Sequence, residues 1–347
     1  MRVTSPQAVL ANPAGVTRTS CQLAADYSAR FKGVSLLVMV DGQCLFEDYP
    51  HGYPDRAHEL ASGTKSFAGA LALAASADGL LRLDELAADT LPEWRDDPRK
   101  AHITLRQLLQ LTSGLESGGK HGKVPTAAEA LLVKAGFAPG THFLYGNAPF
   151  QIFGEILRRK LAPRYHDPLD YLQERVFEPI GLRAGNWRRG SDGQPHFASG
   201  ASLAAREWAK FGELIRADGR WHGHQILPTE LLRESFCGSA DNPAYGLTWW
   251  LNAALPATPR HHQRQLAFGI EDLTHETVIP RDLVFAAGAG KQRLYVSREK
   301  KLVVVRQATG ILEALVAGER GGFSDREFLL RLLTGAESEG VPALRLA

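Results

Sequence analysis

The densest apolar stretch in the chain is the run from Phe67 to Ala77, which contains only Ala, Gly, Leu, one Ser and the leading Phe. A helix that is apolar nearly all round is a buried one. Asp78-Gly79 reads as its end, with Gly79 as a left-handed cap. Upstream, Cys21 to Phe31 has the pattern of an amphipathic helix. "VSLLVMV", Asp41-Gly42 and "QCLFEDY" then read as a β-hairpin, because Asp-Gly suits a tight turn with both central residues at positive φ. From Leu80 onward the pattern turns helical. "HITLRQLLQLTSG" places Thr104 and Gln107 at capping-box spacing and ends at Gly114. "NAPFQIFGEILRRKL" opens on Asn147 with Pro149 in its first turn, and "LDYLQERVFEPIGL" and "ASLAAREWAKFGELIRADG" predict further helices. Strand formers return late, in "YGLTWWLN", "LVFAAGAGKQRLYV" and "KLVVVRQA". The last two are joined by the charged turn "SREKK", and "DREFLLRLLTG" reads as a closing helix. Strands at both ends around a helical middle predict an α+β architecture. On this reading residues 1–78 and 241–347 form one domain built from both termini, and 79–240 form a mainly helical domain.

Composition narrows this little. Hydrophobic residues make up 44% of the 347 and charged residues 22%, as in ordinary globular proteins. The net charge of +2 gives no electrostatic reason to expect nucleic acid or an anionic membrane as partner. No apolar run reaches the about 18 residues of a membrane span. The first residues, "MRVTSPQAVLANPAG", lack the apolar core of a signal peptide. The chain is therefore expected to be soluble, either cytoplasmic or exported with its signal already removed. Cys21, Cys44 and Cys237 make no disulfide framework. Each is expected as a small buried hydrophobe, with a Cys21–Cys44 bridge as the alternative in an exported protein.

Chemistry enters with Lys65, which stands at the head of the buried helix. A buried ammonium is costly unless paired or neutral. Ser62 lies three residues earlier, which on a helix puts both side chains on one face. A serine hydroxyl is a poor nucleophile until a base takes its proton, and a desolvated lysine can be that base. Ser-x-x-Lys recurs at Ser117/Lys120, in the Gly-rich "SGLESGGKHG", and at Ser297/Lys300, in the polar turn. Both of those pairs read as solvated. Tyr145-Gly146-Asn147 follows a Pro139-Gly140 turn and immediately precedes a helix, so the ordinary reading of Asn147 is an N-cap. Tyr145 alone reads as a packing aromatic. The small residues Ala286 to Gly290 allow a substrate backbone to approach a strand closely. His222 and His224 lie in what reads as a surface hairpin with no third metal ligand in view, and His261-His262 lie in a polar loop. There is no Gly-x-Ser-x-Gly nucleophile elbow.

Taken together, the three elements resemble the serine β-lactamase and penicillin-binding-protein superfamily. They are most similar to class C β-lactamases, DD-peptidases and the β-lactamase-like esterases and amide hydrolases. Ser62 and Lys65 match its Ser-x-x-Lys motif, and Tyr145 and Asn147 match the Tyr-x-Asn motif of class C members. "ITLRQLLQLTSGL", "VFEPIGL" and "ASGASLAAREWAKFG" resemble the segments between these motifs. The resemblance implies an antiparallel sheet flanked by helices, an inserted helical domain, and an active site in the cleft between them. It further implies Ser62 as nucleophile, Lys65 and Tyr145 as proton carriers, and Asn147 as a positioning group. The backbone N–H groups of Ser62 and Ala289 would form the oxyanion hole, and no cofactor or metal is implied. Family members that bind carboxylate-bearing substrates carry Lys-Thr-Gly or His-Thr-Gly on the third strand. Here the matching residues are Ala286, Ala287 and Gly288, which resembles the esterase and amide-hydrolase members, including those that cleave nylon-type oligomers. The expected activity is hydrolysis of a small-molecule ester or amide through an acyl-enzyme. A β-lactamase or D-amino-acid peptidase is the alternative among enzymes, and a non-catalytic penicillin-recognising sensor is the alternative of another class. Whether Lys65 or Tyr145 is the formal base stays open, since coupled groups titrate as a unit.

Overall fold

Asp41 and Gly42 both sit at positive φ, 50° and 78°. They reverse the chain between β1 (Gly33–Val40) and β2 (Gln43–Asp48), which pair antiparallel. A computed structural model describes residues 12–116, 123–254, 271, 273–313 and 322–336. Short strands β3 (His58–Glu59), β4 (Asn186–Trp187) and β5 (Ala201–Leu203) form a small sheet, with β5 in the middle. β6 (Arg220–Trp221) and β7 (His224–Gln225) form a separate hairpin. β8 (Trp250–Leu251), β9 (Val284–Gly288), β10 (Gln292–Ser297) and β11 (Leu302–Ala308) complete the main sheet, whose order is β2-β1-β11-β10-β9-β8. All of its ladders are antiparallel. The β1–β11 pairing joins strands from opposite ends of the sequence at the middle of the sheet.

The helices run α1 (Arg18–Arg30), α2 (Lys65–Ala77), α3 (Ala87–Thr90), α4 (Leu105–Leu109), α5 (Ala127–Leu131), α6 (Ala148–Leu161), α7 (Pro168–Leu172), α8 (Ala205–Arg216), α9 (Thr229–Glu234) and α10 (Asp325–Thr334). Side chains alternate along a strand, so Leu294 and Tyr295 of β10 face opposite ways. Leu294 lies against Gly212 of α8, and Tyr295 stacks on Phe328 of α10. The sheet is thus sandwiched, with α10 and its neighbour α1 on one side and α8 on the other. By packing, α8 belongs to this layer although it comes from the middle of the chain. The α+β expectation holds.

The apolar run around α2 is buried from Lys65 to Ala75 and ends with Gly79 at φ 72°. Thr104 and Gln107 form the reciprocal cap of α4. Other segments depart from the pattern. "ASL" is the strand β5 rather than the start of a helix, because Ala201 and Leu203 turn inward while the backbone of Ser202 pairs on both sides. "YGLTWWLN" contributes only Trp250–Leu251, because the chain folds back at Thr248, which has φ 69°. "LDYLQERVFEPIGL" is α7 continued by a wider and then a tighter helical turn, closed by Gly181 at φ 62°. The three cysteines are free thiols, and only Cys21 is buried. Cys44 is exposed because β2 is an edge strand, and Cys237 follows α9 in a surface turn, so neither is a core hydrophobe. Ser297 is not solvated but fully buried, since it ends a strand inside the sheet. Ser117, Lys120, His261 and His262 lie outside the described residues.

Candidate active site

Ser62 sits in a 3₁₀ turn, Ala61–Thr64, that leads directly into α2. The turn is pinned from several sides. Leu60 N–H donates to the Ala201 carbonyl at 2.9 Å, and Ala201 N–H donates to Thr64 Oγ1 at 3.1 Å. Gly63 lies close against the Trp208 ring, where a Cβ would come 3.0 Å from a ring carbon. Ala61 holds φ 47°, a conformation costly for a residue with a Cβ. This anchoring leaves Ser62 half-buried at the mouth of the turn, while Lys65, the first residue of α2, is 2% exposed.

The Lys65 Nζ has three neutral neighbours. It lies 3.1 Å from Ser62 Oγ, 3.1 Å from Asn147 Oδ1 and 3.0 Å from the Ala198 carbonyl oxygen. The Tyr145 and Phe150 rings stand 5.0 and 5.2 Å away and give the cation modest support. Among the described residues no carboxylate makes an ion pair with it. Burial therefore dominates and brings the Lys65 pKa down to about 7. This arrangement suits proton transfer. A neutral amine has two N–H donors and one lone pair; Asn147 and Ala198 take the donors, and the lone pair is left for the Ser62 hydroxyl.

Asn147 stands at the N-cap position of α6, but its side chain makes no capping bond. Its Oδ1 is turned instead to Lys65, and its Nδ2 donates to the Lys123 carbonyl at 3.4 Å. α6 tolerates this because Pro149 in the first turn has no N–H to satisfy. Tyr145 is half-buried, stacked on Trp250 at 5.8 Å and edge-on to Tyr245 at 6.4 Å. The ring is thereby held over Lys65.

The end of β9 closes the other side. β8 pairs only with Val284 and Phe285, so Ala286 to Gly288 extend beyond it. All three are buried. A Cβ on Gly288 would collide with the Leu60 carbonyl and lie 3.1 Å from Gly63 N, so this strand end meets the Ser62 turn backbone to backbone. Ala289 follows in the tight turn made by Gly290 and Lys291, at φ 73° and 60°. Lys291 is 7% exposed, with its Nζ 3.3 Å from Asp325, on the α10 side of the sheet. It therefore does not replace the cation absent at Ala286.

The structure thus brings Ser62, Lys65, Tyr145, Asn147 and the Ala286–Ala289 strand end to one place. Two contributors were not visible in the sequence. The Ala198 carbonyl is backbone and carries no residue signature. Phe150 reads as one more apolar helix position. His222 and Gly223 form the tip of the β6–β7 hairpin. Among the described residues no cluster of three or more His, Cys, Asp or Glu side chains is placed to hold a metal ion, and no helix is long and apolar enough to cross a membrane.

Comparison with known proteins bears on the family and the fold. A curated relative described as a beta-lactamase, from Pseudomonas fluorescens, is 30% identical over 166 residues, which is 44% of this chain and 44% of that one. The chain therefore spans less than half the length of the curated relative it matches. Among solved structures, EstCE1, described as a hydrolase with promiscuous acyltransferase activity, gives a TM-score of 0.67 at 15% identity, over 91% of this chain and 97% of that one. A D-stereospecific amidohydrolase from Streptomyces sp. gives 0.60 at 16% identity, over 88% and 99%. At such identities these two matches speak for the fold alone. The Beta-lactamase family model, however, matches residues 21–310, and on that match, spanning most of its length, the chain belongs to the beta-lactamase family.

Proposed function

We propose that the protein is a serine hydrolase that cleaves carboxylic esters or small amides through an acyl-enzyme. The observation that carries this reading is the buried Lys65 amine, surrounded by neutral acceptors and 3.1 Å from Ser62 Oγ. In acylation the Ser62 proton passes to Lys65, directly or through Tyr145, as Oγ bonds to the substrate carbonyl carbon. The carbonyl oxygen becomes an oxyanion, held by the N–H groups of Ser62 and Ala289. Collapse breaks the bond to the alcohol or amine, which takes up the proton. Water, deprotonated by the same base, then attacks the acyl carbon and frees Ser62.

The preference for uncharged substrates rests on Ala286, Ala287 and Gly288. A β-lactam or a peptide ending in D-alanine brings a carboxylate, whose charge-assisted hydrogen bond is worth about 1.5–3 kcal/mol. Ala286 and Ala287 offer it neither cation nor hydroxyl, so about ten- to a hundredfold in kcat/KM is lost. The β-lactamase relative favours the second reading, hydrolysis of β-lactams or of D-amino-acid peptides. A side-by-side comparison of p-nitrophenyl butyrate, nitrocefin and a D-Ala-D-Ala peptide separates them. The ester is expected to have the highest kcat/KM. Nitrocefin turnover exceeding that of the ester would establish a β-lactamase, and acylation without turnover on every substrate would establish a sensor.

A further inference from the structure

The peptide joining Gly288 to Ala289 is held from behind by a buried guanidinium. Arg293, paired across the ladder with Ala287, is 1% exposed. Its Nη1 donates to the Gly288 carbonyl at 3.2 Å and to the Gln292 carbonyl at 3.1 Å. Its Nε and Nη2 donate to the two carboxylate oxygens of Asp325, at 2.7 and 3.1 Å. Asp325 is buried at the first position of α10 and also accepts from the Tyr295 hydroxyl and from Lys291. A forked, buried pair of this kind has little freedom. The guanidinium is therefore fixed to α10, and it fixes the Gly288 oxygen in turn. On the opposite face, the bare Cα of Gly288 rests on the Leu60–Gly63 backbone.

We infer that Arg293 is a positioning residue for the oxyanion, acting through the Gly288–Ala289 peptide. A planar trans peptide points its N–H opposite to its C=O. With the Gly288 carbonyl aimed at Arg293, the Ala289 N–H is aimed away from it, toward the side of β9 that β8 leaves unpaired. The charge-assisted bond to the carbonyl also polarises the peptide and strengthens its N–H as a donor. This role rests on the acyl-enzyme reading above. It explains why a charged fork lies buried behind the strand end, where a neutral residue would suffice for packing.

Two variants test it. Arg293→Lys keeps a positive charge for Asp325 but loses the planar fork. Arg293→Met combined with Asp325→Asn removes the forked charge pair together, an exchange that buried ion pairs often tolerate, and leaves an amide oxygen as acceptor for Lys291. Each is compared with wild type for kcat and KM on p-nitrophenyl butyrate, for inhibition by phenylboronic acid, which forms a tetrahedral adduct at a nucleophilic serine, and for thermal melting. Removing an oxyanion donor outright costs about 10²–10³-fold in kcat. Misaiming one is expected to cost about tenfold, with KM within about twofold of wild type. Phenylboronic acid affinity should fall in step with kcat. A merely structural role lowers the folded fraction and kcat but leaves the boronate inhibition constant unchanged, and that result in both variants overturns the inference. Fluorophosphonate labelling of wild-type Ser62 reads the parent proposal separately. Without labelling both fall, whereas labelling with unchanged boronate affinity removes only the role of Arg293.

Discussion

In both Ser62–Lys65 and Ser297–Lys300 a serine stands three residues before a lysine, and in both the serine hydroxyl is engaged. At the first pair the spacing falls on a helical turn, so the side chains meet and Lys65 Nζ lies 3.1 Å from Ser62 Oγ. At the second the spacing falls on the turn between β10 and β11. There Ser297 Oγ donates to Asp282 Oδ1 at 2.7 Å and accepts from the backbone N–H of Lys300 at 3.1 Å. The Asp282 carboxylate also takes the N–H groups of Arg298 and Glu299, at 2.7 and 2.9 Å. The second serine locks a turn with its neighbours' backbone, while the lysine side chain takes no part in that lock. The same four-residue spacing therefore encodes a proton-transfer pair or a turn lock, depending on whether the lysine side chain is driven into the core.

The largest expected effect is at the first pair. Ser62→Ala should lower ester hydrolysis by at least about 10⁴-fold, the scale of losing a nucleophile, with melting unchanged. A fluorophosphonate probe followed by peptide mapping should mark Ser62 and leave Ser297 unmarked. Labelling at Ser297, or activity surviving in Ser62→Ala, would erase the distinction between the two pairs.

Next come the proton carriers. Lys65→Ala and Tyr145→Phe should each lower kcat by about 10²–10⁴-fold. Because they handle one proton together, the double variant should be little worse than the poorer single one. A loss equal to the product of the two single losses would show that they act independently. The wild-type rate should also follow the charge of Lys65. Its folded pKa is near 7, below the ordinary lysine value, so the amine is protonated and inactive as a base below that pH. The neutral fraction grows as pH rises through 7. Measured kcat/KM should therefore climb from pH 6 to pH 8 and level off above it. A flat profile over that range would remove Lys65 as the titrating base.

How much of this was readable in advance depends on where the information resides. The Asp41-Gly42 hairpin, the Thr104–Gln107 cap and the α2 stop at Gly79 were legible because each depends on residues adjacent in sequence. The meeting of Ser62 with Lys65 was legible for the same reason, since one helical turn joins them. Bringing Tyr145 and Asn147 to the same place required family resemblance, because no local rule connects residues so far apart. The Ala198 carbonyl escaped both approaches, as did the Arg293–Asp325 fork, whose members lie on different elements. Ser297 was misread as solvated because a polar turn sequence hides the fact that its first residue is still inside a strand. The reading of Asn147 as a cap failed in an instructive way. Its position is that of a cap, but a buried amine 3.1 Å away competes for the same oxygen.

Asn147→Asp sharpens that point and has a smaller effect. It keeps an oxygen facing Lys65 but adds a negative charge, and an opposite charge at this distance raises a lysine pKa by about 1–3 units. The pH profile of kcat/KM should move to higher pH by about a unit or more, with a drop of about tenfold at pH 7. Because the side chain makes no capping bond, melting should change little. A lost melting temperature with an unmoved profile would restore the cap as the main role of Asn147.

The smallest effect on activity is expected at the second pair. Ser297→Ala removes one hydrogen bond to a carboxylate and one from the Lys300 N–H, in a residue that is fully buried. The bond to the carboxylate is worth about 1.5–3 kcal/mol and the ordinary one about 0.5–1.5, which makes about 2–4.5 kcal/mol together. The lower end is expected, because Asp282 is only partly buried and retains the N–H groups of Arg298 and Glu299. Stability should therefore fall by about 2 kcal/mol in a denaturant titration, while kcat and KM for p-nitrophenyl butyrate stay at wild-type values. The turn lies at the β11 end of β10, whereas the Ser62 turn meets the opposite end of the hairpin at Gly288. A loosened β10–β11 turn therefore has no direct route to the nucleophile. If Ser297→Ala cut kcat without destabilising the fold, the second pair would have a part in the chemistry, and the difference in environment between the two pairs would not be what separates them.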